Sequence, residues 1–232
     1  MTARSIASGS DLALLQSVMD RRHSCRSFLQ TPVPRPTIEQ ILAATARTAS
    51  WCNAQPWLVH IVSGAPLEAL RNDLVAQADA GVPPEPELDW PVTYRGLFQE
   101  RRRACGRALY EAVGVRHGDR DASGLQTREN FRLFGAPHVA IMTSEAALGT
   151  HGIMDCGAWT ANFMLAATAA GLGSIAQAAL ASWPAVLRRH LQIGRDKHVV
   201  CGISFGYEDT AHPANGFRTA RAPGSETVVF VG

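Results

Sequence analysis

Two short clusters carry the side chains with the clearest capacity for chemistry. Arg21-Arg22-His23-Ser24-Cys25-Arg26 concentrates cations and a hydroxyl, the groups that hold a phosphate by charge-assisted hydrogen bonds. Asn53-Ala54-Gln55-Pro56-Trp57, following Ser50 and Trp51, offers two carboxamides, each with a donor and an acceptor on a short stem. Such amides suit a heteroaromatic ring edge that alternates carbonyl oxygens with N–H and bare nitrogen. Arg218-Thr219-Ala220-Arg221 adds two more cations near the C-terminus. Each cluster also has a plainer reading. Arginines at a helix C-terminus complement its macrodipole, and Asn commonly satisfies loop backbone. No hydrolytic or phosphate-loop motif competes: H-E-x-x-H, G-x-S-x-G and the P-loop are absent. Gly171-Leu172-Gly173-Ser174-Ile175-Ala176 matches G-x-G-x-x-A, but that fingerprint needs a strand before it and a helix after it. Here the pattern predicts a helix before and a strand after, so the match is a decoy.

Composition narrows the class. The chain has 232 residues, 46% hydrophobic and 18% charged, enough for one well-buried core and too apolar for disorder. The net charge is +2 and the arginines fall in separated groups, so no nucleic-acid partner is expected. Cysteines at 25, 52, 105, 156 and 201 form no C-x-x-C pair and leave an odd count, which favours a reducing compartment over a disulfide or zinc framework. Cys25, between arginines, is either a thiol of depressed pKa or a bystander in an anion-binding loop. Residues 1–10 lack the apolar stretch of a secretory signal, so a flexible N-terminus and a cytoplasmic location are expected. The charge-free run Cys156–Leu187 is long enough to raise the question of a membrane span. Asn162, Gln177, Trp183-Pro184 and Gly171-Leu172-Gly173 interrupt it. It predicts a buried helix, a turn and a buried strand, and no membrane.

The elements that must position the clusters follow from periodicity. Asp11 is the expected N-cap of a helix through Arg22, with Leu12, Leu15 and Met19 on one face. Pro36 opens a helix whose Ile38, Ile41, Leu42, Thr45 and Ala46 share a face. Ser50–Pro56 reads as a loop, Trp57–Val62 as a strand and Pro66–Ala78 as a helix. The proline-rich Gly81–Pro86 opens a helical excursion over residues 81–133, with helices expected in Tyr94–Val113 and Asp119–Leu133. His138–Thr143 and Val199–Phe205 read as buried strands, joined by a long helix over Gly152–Ala170. Residues 212–232 form a C-terminal arm whose apolar Thr227–Val231 predicts a strand that needs an edge to pair with. Strands and helices mix without regular βαβ alternation, an α+β arrangement in a single domain spanning 1–232.

These motifs, with Phe134-Gly135-Ala136-Pro137 and Val200-Cys201-Gly202-Ile203-Ser204-Phe205-Gly206-Tyr207, resemble the FMN-dependent nitroreductase family from about Val18 to Arg221. The resemblance implies a three-layer fold, a central mixed sheet flanked by helices, in an intertwined homodimer with FMN in the interface. It implies Arg22, His23, Ser24 and Arg26 on the FMN phosphate and ribityl chain, completed by Arg218 and Arg221. Ser50, Trp51, Asn53 and Gln55 would address the flavin's pyrimidine side and N5. Ile175, with backbone N–H groups of Gln177 and Ala178, would run along the opposite edge. Trp51 stands where the family has a small polar residue, which removes a hydroxyl while leaving its N–H usable. Trp51, Tyr94 and Phe98, if gathered over the flavin, would line a slot for planar nitroaromatics. Arg101, Arg102 and Arg103 would suit the 2′-phosphate of NADPH, or form a solvated helix face. No side chain is expected to act as catalytic acid or nucleophile, because FMN carries the electrons. The implied activity is ping-pong, two-electron reduction of nitroaromatics by NAD(P)H, giving nitroso and hydroxylamine products. The alternatives are the same fold acting on a quinone, a halogenated phenol or flavin itself, or a flavin-binding protein without turnover.

Overall fold

A computed structural model describes residues 9–232, so the N-terminal segment expected to be flexible lies, up to residue 8, outside the described residues. Helices α1 (Gly9–Arg21) and α2 (Arg35–Thr45) precede strand β1 (Trp57–Ser63). Helices α3 (Gly64–Asp79), α4 (Gly96–Ala112) and α5 (Arg120–Arg128) follow, then strand β2 (His138–Glu145). The second half runs α6 (Gly149–Ala169), β3 (Gly173–Gln177), α7 (Pro184–Leu191) and β4 (Lys197–Gly206). The strands lie in the order β1-β2-β4-β3, and all three pairings are antiparallel. Among the described residues, the parallel component expected of a mixed sheet is confined to one bridge, Ser24 to Ser174.

Strand β2 is the centre of the molecule, buried from His138 to Ser144. Side chains alternate across a strand, and here both faces are covered. Val139 and Ile141 join Leu67, Leu70 and Leu74 of α3 and Val186 and Leu187 of α7. Ala140 and Met142 join Ile38 and Ile41 of α2 and Cys156, Trp159 and Phe163 of α6. The result is three layers, helix on sheet on helix. Burying each such Leu, Ile or Phe contributes roughly 1.5–3 kcal/mol relative to exposure, so β2 anchors the sheet from which both functional clusters hang.

Helix α6 ends where the sequence requires. Gly171 takes φ +79°, the Gly171 N–H donates to Thr168 O at 3.1 Å, and the Leu172 N–H donates to Ala167 O at 2.9 Å. This Schellman cap turns the chain sharply into β3, so the glycine-rich decoy is a helix stop. Its second glycine has another reason: a Cβ on Gly173 would lie 2.9 Å from the Cys25 sulfur. Among the described residues no helix is long and apolar enough to cross a membrane.

One local expectation changes and two alternatives narrow. Helix α1 begins at Gly9, so Asp11 sits in its first turn instead of capping it, where its charge still favours the helix dipole. Cys25 is fully buried, and burial pushes its thiol up to about 12, overriding the arginine beside it. Thr227–Val231 forms no strand within the chain; Phe230 and Val231 are 94% and 95% exposed. A strand needs a hydrogen-bonding edge, and none is offered to this segment among the described residues of the single chain. The α1 face carrying Leu12, Leu15 and Met19 is likewise exposed.

Candidate functional site

The bridge between Ser24 and Ser174 ties the segment after α1 to the first residues of β3, and the Cys25 N–H donates to Ser174 O at 3.1 Å. This fixes Arg22 and Arg26 on either side of a buried sulfur. Asn215 then draws the C-terminal arm onto the same spot. Its side-chain oxygen accepts the Arg26 N–H at 2.7 Å, and its amide donates to Ser27 O and Asp209 O, both at 2.9 Å. Arg22, His23, Ser24 and Arg26 therefore meet Arg218 and Arg221 around one cleft of about 250 Å³, with Cys105 of α4 and Phe217 completing its walls.

Cations predominate in this cleft, with Asp20 the one carboxylate among its lining residues. Arg218 donates to the Asn215 and Phe217 carbonyls at 2.7 and 2.8 Å, and Arg221 to the Thr219 hydroxyl at 2.8 Å. Arg26 donates to Ser24 O at 3.2 Å and stacks 5.7 Å over the Phe217 ring. Among the described residues none of Arg22, Arg26, Arg218 and Arg221 pairs with a carboxylate. Burial, then the nearby Arg221, lowers the Arg22 pKa, and burial lowers that of Arg26. Concentrating unneutralised guanidinium groups costs free energy unless an anion joins them. His23 differs: its Nε2 faces Glu208 at 2.9 Å and its Nδ1 faces Arg21 O at 3.0 Å. Both imidazole nitrogens thus have partners within the chain, while His23 still lines the cleft.

Arg26 is shared with a second cleft, of about 260 Å³, running along Ile175–Ala179 under Tyr110 and Asn130. Ile175, Gln177 and Ala178 thus form a ledge continuous with the cationic cleft. The Gln177 side chain is internal: its amide donates to Asn130 O at 2.9 Å and its oxygen accepts the Ser204 hydroxyl at 2.5 Å. Only its backbone is left for a ligand.

The Ser50–Gln55 loop is elsewhere. It leads into β1, whereas the cationic cleft flanks β3, and these are opposite edges of the sheet. Three strand spacings, about 14 Å, separate the edges. The two also sit at opposite ends. Trp57 pairs with Ser144 at the loop end of β1. Ser174 pairs with Phe205, which lines up with His138 and Ser63 at the far end. The loop is exposed and strained, with Cys52, Asn53 and Gln55 at φ +50°, +55° and +48°. Non-glycine residues held left-handed cluster at functional sites. The Gln55 N–H donates to Ser50 Oγ at 2.9 Å, while the Asn53 carboxamide makes no hydrogen bond among the described residues. That amide is available to a ligand.

Two other expectations fare differently. The Trp51 N–H is already bonded to the Asp155 carboxylate, at 3.0 and 3.2 Å. A charged acceptor outcompetes any neutral ligand atom for that donor, so the N–H expected to be usable is taken. The Trp51 ring packs on His151, centroids 4.7 Å apart, and among the described residues neither the cationic cleft nor the ledge gathers it with Tyr94 and Phe98. Arg102 lies 5.2 Å from the Tyr94 ring and Arg101 pairs with Glu226 at 3.0 Å. Successive residues on a helix point about 100° apart, so Arg101, Arg102 and Arg103 do not converge. Asn215, Asn130 and Asp155 are missed by sequence reasoning, since single polar residues far from any motif carry no local signal.

Comparison with known proteins follows the same outline. The model of the Nitroreductase family matches residues 19–207. A 4-nitrobenzoate reductase of Nocardioides sp. (strain LMS-CY) is 32% identical over 219 residues, covering 93% of this chain and 89% of the relative. Nitroreductase NfnB of Mycolicibacterium smegmatis is 32% identical over 237 residues, covering 99% of each chain. The crystal structure of the FMN-dependent nitroreductase NfnB from Mycobacterium smegmatis in complex with NADPH superposes with a TM-score of 0.91 at 32% identity, over 96% of this chain and 100% of that one.

Proposed function

This chain belongs to the nitroreductase family, and we propose that it is an FMN-dependent oxidoreductase that reduces nitroaromatic compounds with NADPH. The observation that carries this reading is the cationic cleft: four guanidinium groups against the single lining carboxylate of Asp20, with which none of them pairs, opening onto the ledge Ile175–Ala179. The cleft has the charge for a monophosphate. The ledge provides a flat backbone edge against which a ring system can lie. Bound FMN would supply the hydride chemistry, accepting two electrons from NADPH and passing them to the nitro group.

The residues of this chain divide the remaining work. Arg22, Arg26, Arg218 and Arg221 would hold the phosphate. Ile175 and the backbone of Gln177 and Ala178 would support one flavin edge. Asn53 and Gln55, on the far corner of the sheet, would reach the flavin of a second subunit. A homodimer accounts for that division. It also offers cover for the exposed Leu12, Leu15 and Met19 of α1 and for the apolar Val228–Val231 of the arm, surfaces that a monomer rarely leaves bare together. Trp51, Tyr94 and Phe98 can share a pocket only across such an interface, and there their rings would line the entrance for a planar acceptor.

Purified yellow protein mixed with NADPH and a dinitrobenzene tests the reading directly. Loss of NADPH absorbance with nitroso and hydroxylamine products is the expected result. Because nicotinamide and nitroaromatic would occupy the same face in turn, double-reciprocal plots should be parallel. Intersecting lines, or a one-electron nitro radical as the main initial product, would contradict the mechanism. Stoichiometric FMN without turnover would indicate a flavin-binding protein instead.

A further inference from the structure

We infer that Asp155 is a positioning residue for the Ser50–Gln55 loop, holding its backbone in the shape that presents Asn53 and Gln55, while His151 one turn earlier sets the Trp51 ring. This rests on the reading of that loop as flavin-facing. The loop's own hydrogen bonds are local: Asn53 N–H to Ser50 O, Ala54 N–H to Trp51 O, and Gln55 N–H to Ser50 Oγ. Three non-glycine residues in four are left-handed, a sparsely populated backbone region. Such a shape persists only when something outside the loop over-determines it.

Helix α6 is that outside element. Both Asp155 carboxylate oxygens accept the Trp51 N–H, at 3.0 and 3.2 Å, across 104 residues of sequence. Asp155 is half-buried and engages no cation among the described residues, so its charge is directed to this N–H. His151, four residues earlier and hence on the same face, contacts the Trp51 ring. Between them Gly152 brings the helix in close: a Cβ there would lie 2.8 Å from Ser144 Oγ and 3.7 Å from Pro56 Cβ. The loop is thus gripped at Trp51 by backbone and by ring, and Pro56, the residue that follows it, lies close to Gly152.

The two grips predict separable effects. Losing the carboxylate frees the backbone and misplaces both amides, which weakens flavin binding. Losing the imidazole frees the indole alone, which alters the acceptor pocket. FMN titration of flavin-free, full-length protein, followed by quenching of flavin fluorescence, reads the first. For Asp155→Ala the FMN Kd should rise on the order of tenfold, the scale of one charge-assisted hydrogen bond. Asp155→Asn, which keeps a carbonyl acceptor, should recover most of that affinity, and the melting midpoint of the flavin-free protein should move little in either. If Asp155→Ala does not fold, Trp51→Pro removes the same N–H from the other partner, and its FMN Kd should exceed that of Trp51→Ala. His151→Ala should re-order nitroaromatic substrates through KM more than through kcat. FMN binding equal to wild type in both Asp155 variants, while Arg26→Ala loses FMN, overturns this inference and leaves the flavin reading intact. Wild-type binding in Arg26→Ala and Arg218→Ala as well would remove the flavin reading itself. Equal loss of melting midpoint and FMN affinity in Asp155→Ala and Asp155→Asn would make the residue structural, also against the inference.

Discussion

The cleft beside β3 and the loop before β1 are opposites in construction. The cleft is complete within one chain: Asn215 locks the arm to Arg26, and six of the expected phosphate ligands meet around one space. The loop is exposed and left-handed at three of four consecutive positions; the Asn53 carboxamide has no hydrogen bond among the described residues, and that of Gln55 only a local one to Asn53 O at 3.3 Å. Pre-formed charge provides binding energy, while a strained polar loop provides orientation. The two regions lie at diagonal corners of one sheet, so under the dimer reading proposed above each would be completed by a second copy of the other.

Cysteine reactivity gives the largest contrast, because each region contains one. Cys25, with its thiol pushed up to about 12 by burial, carries a thiolate fraction on the order of 10⁻⁵ at neutral pH. Cys52 is exposed in the loop. Iodoacetamide followed by peptide mass spectrometry should label Cys52 in the native flavin-free protein and leave Cys25 unmodified until unfolding. Early labelling of Cys25 would mean that the cleft is not pre-formed.

Cation removal comes next. Arg26→Ala or Arg218→Ala should weaken FMN roughly ten- to a hundredfold, as expected for a charge-assisted bond of about 1.5–3 kcal/mol. Stoichiometric FMN retained in both at low micromolar protein would end the anchoring assignment. Mixing then sharpens the comparison. Arg218→Ala and Asn53→Ala chains, each impaired alone, should regain activity when co-refolded, because a mixed dimer holds one site with both halves intact. About half of the mixed dimer's sites should then be active, and no recovery would place both halves in one subunit.

The loop amides should matter less than the cations. Asn53→Ala or Gln55→Ala removes a neutral hydrogen bond of about 0.5–1.5 kcal/mol, so FMN affinity should fall roughly two- to tenfold. A larger loss than for Arg26→Ala would invert the division proposed between the regions. The smallest effect is expected at Arg101, Arg102 and Arg103. Two of the three already have partners, so replacing all three by Ala should change the NADPH-to-NADH ratio of kcat/KM by no more than about threefold, near the worth of an exposed charge. A tenfold shift would show that they bind the 2′-phosphate.

Local chemistry was legible in the sequence wherever a residue type has one dominant physical use. The arginine clusters, the glycine stop after α6 and the apolar run of the buried β2 are of this kind. Each depends on neighbours a few residues away, and periodicity and capping rules describe such neighbours. What only the tertiary structure decided depends on contacts between distant segments. The burial that raises the Cys25 thiol comes from its place in the core, where Gly173 leaves room for the sulfur. The occupation of His23 comes from Glu208, and that of the Trp51 N–H from Asp155. The diagonal separation of cleft and loop follows from strand order, which sets which edges β1 and β3 occupy. Composition and spacing name the groups that can bind, but desolvation and pairing determine which remain free to do so, and those are properties of packing in three dimensions.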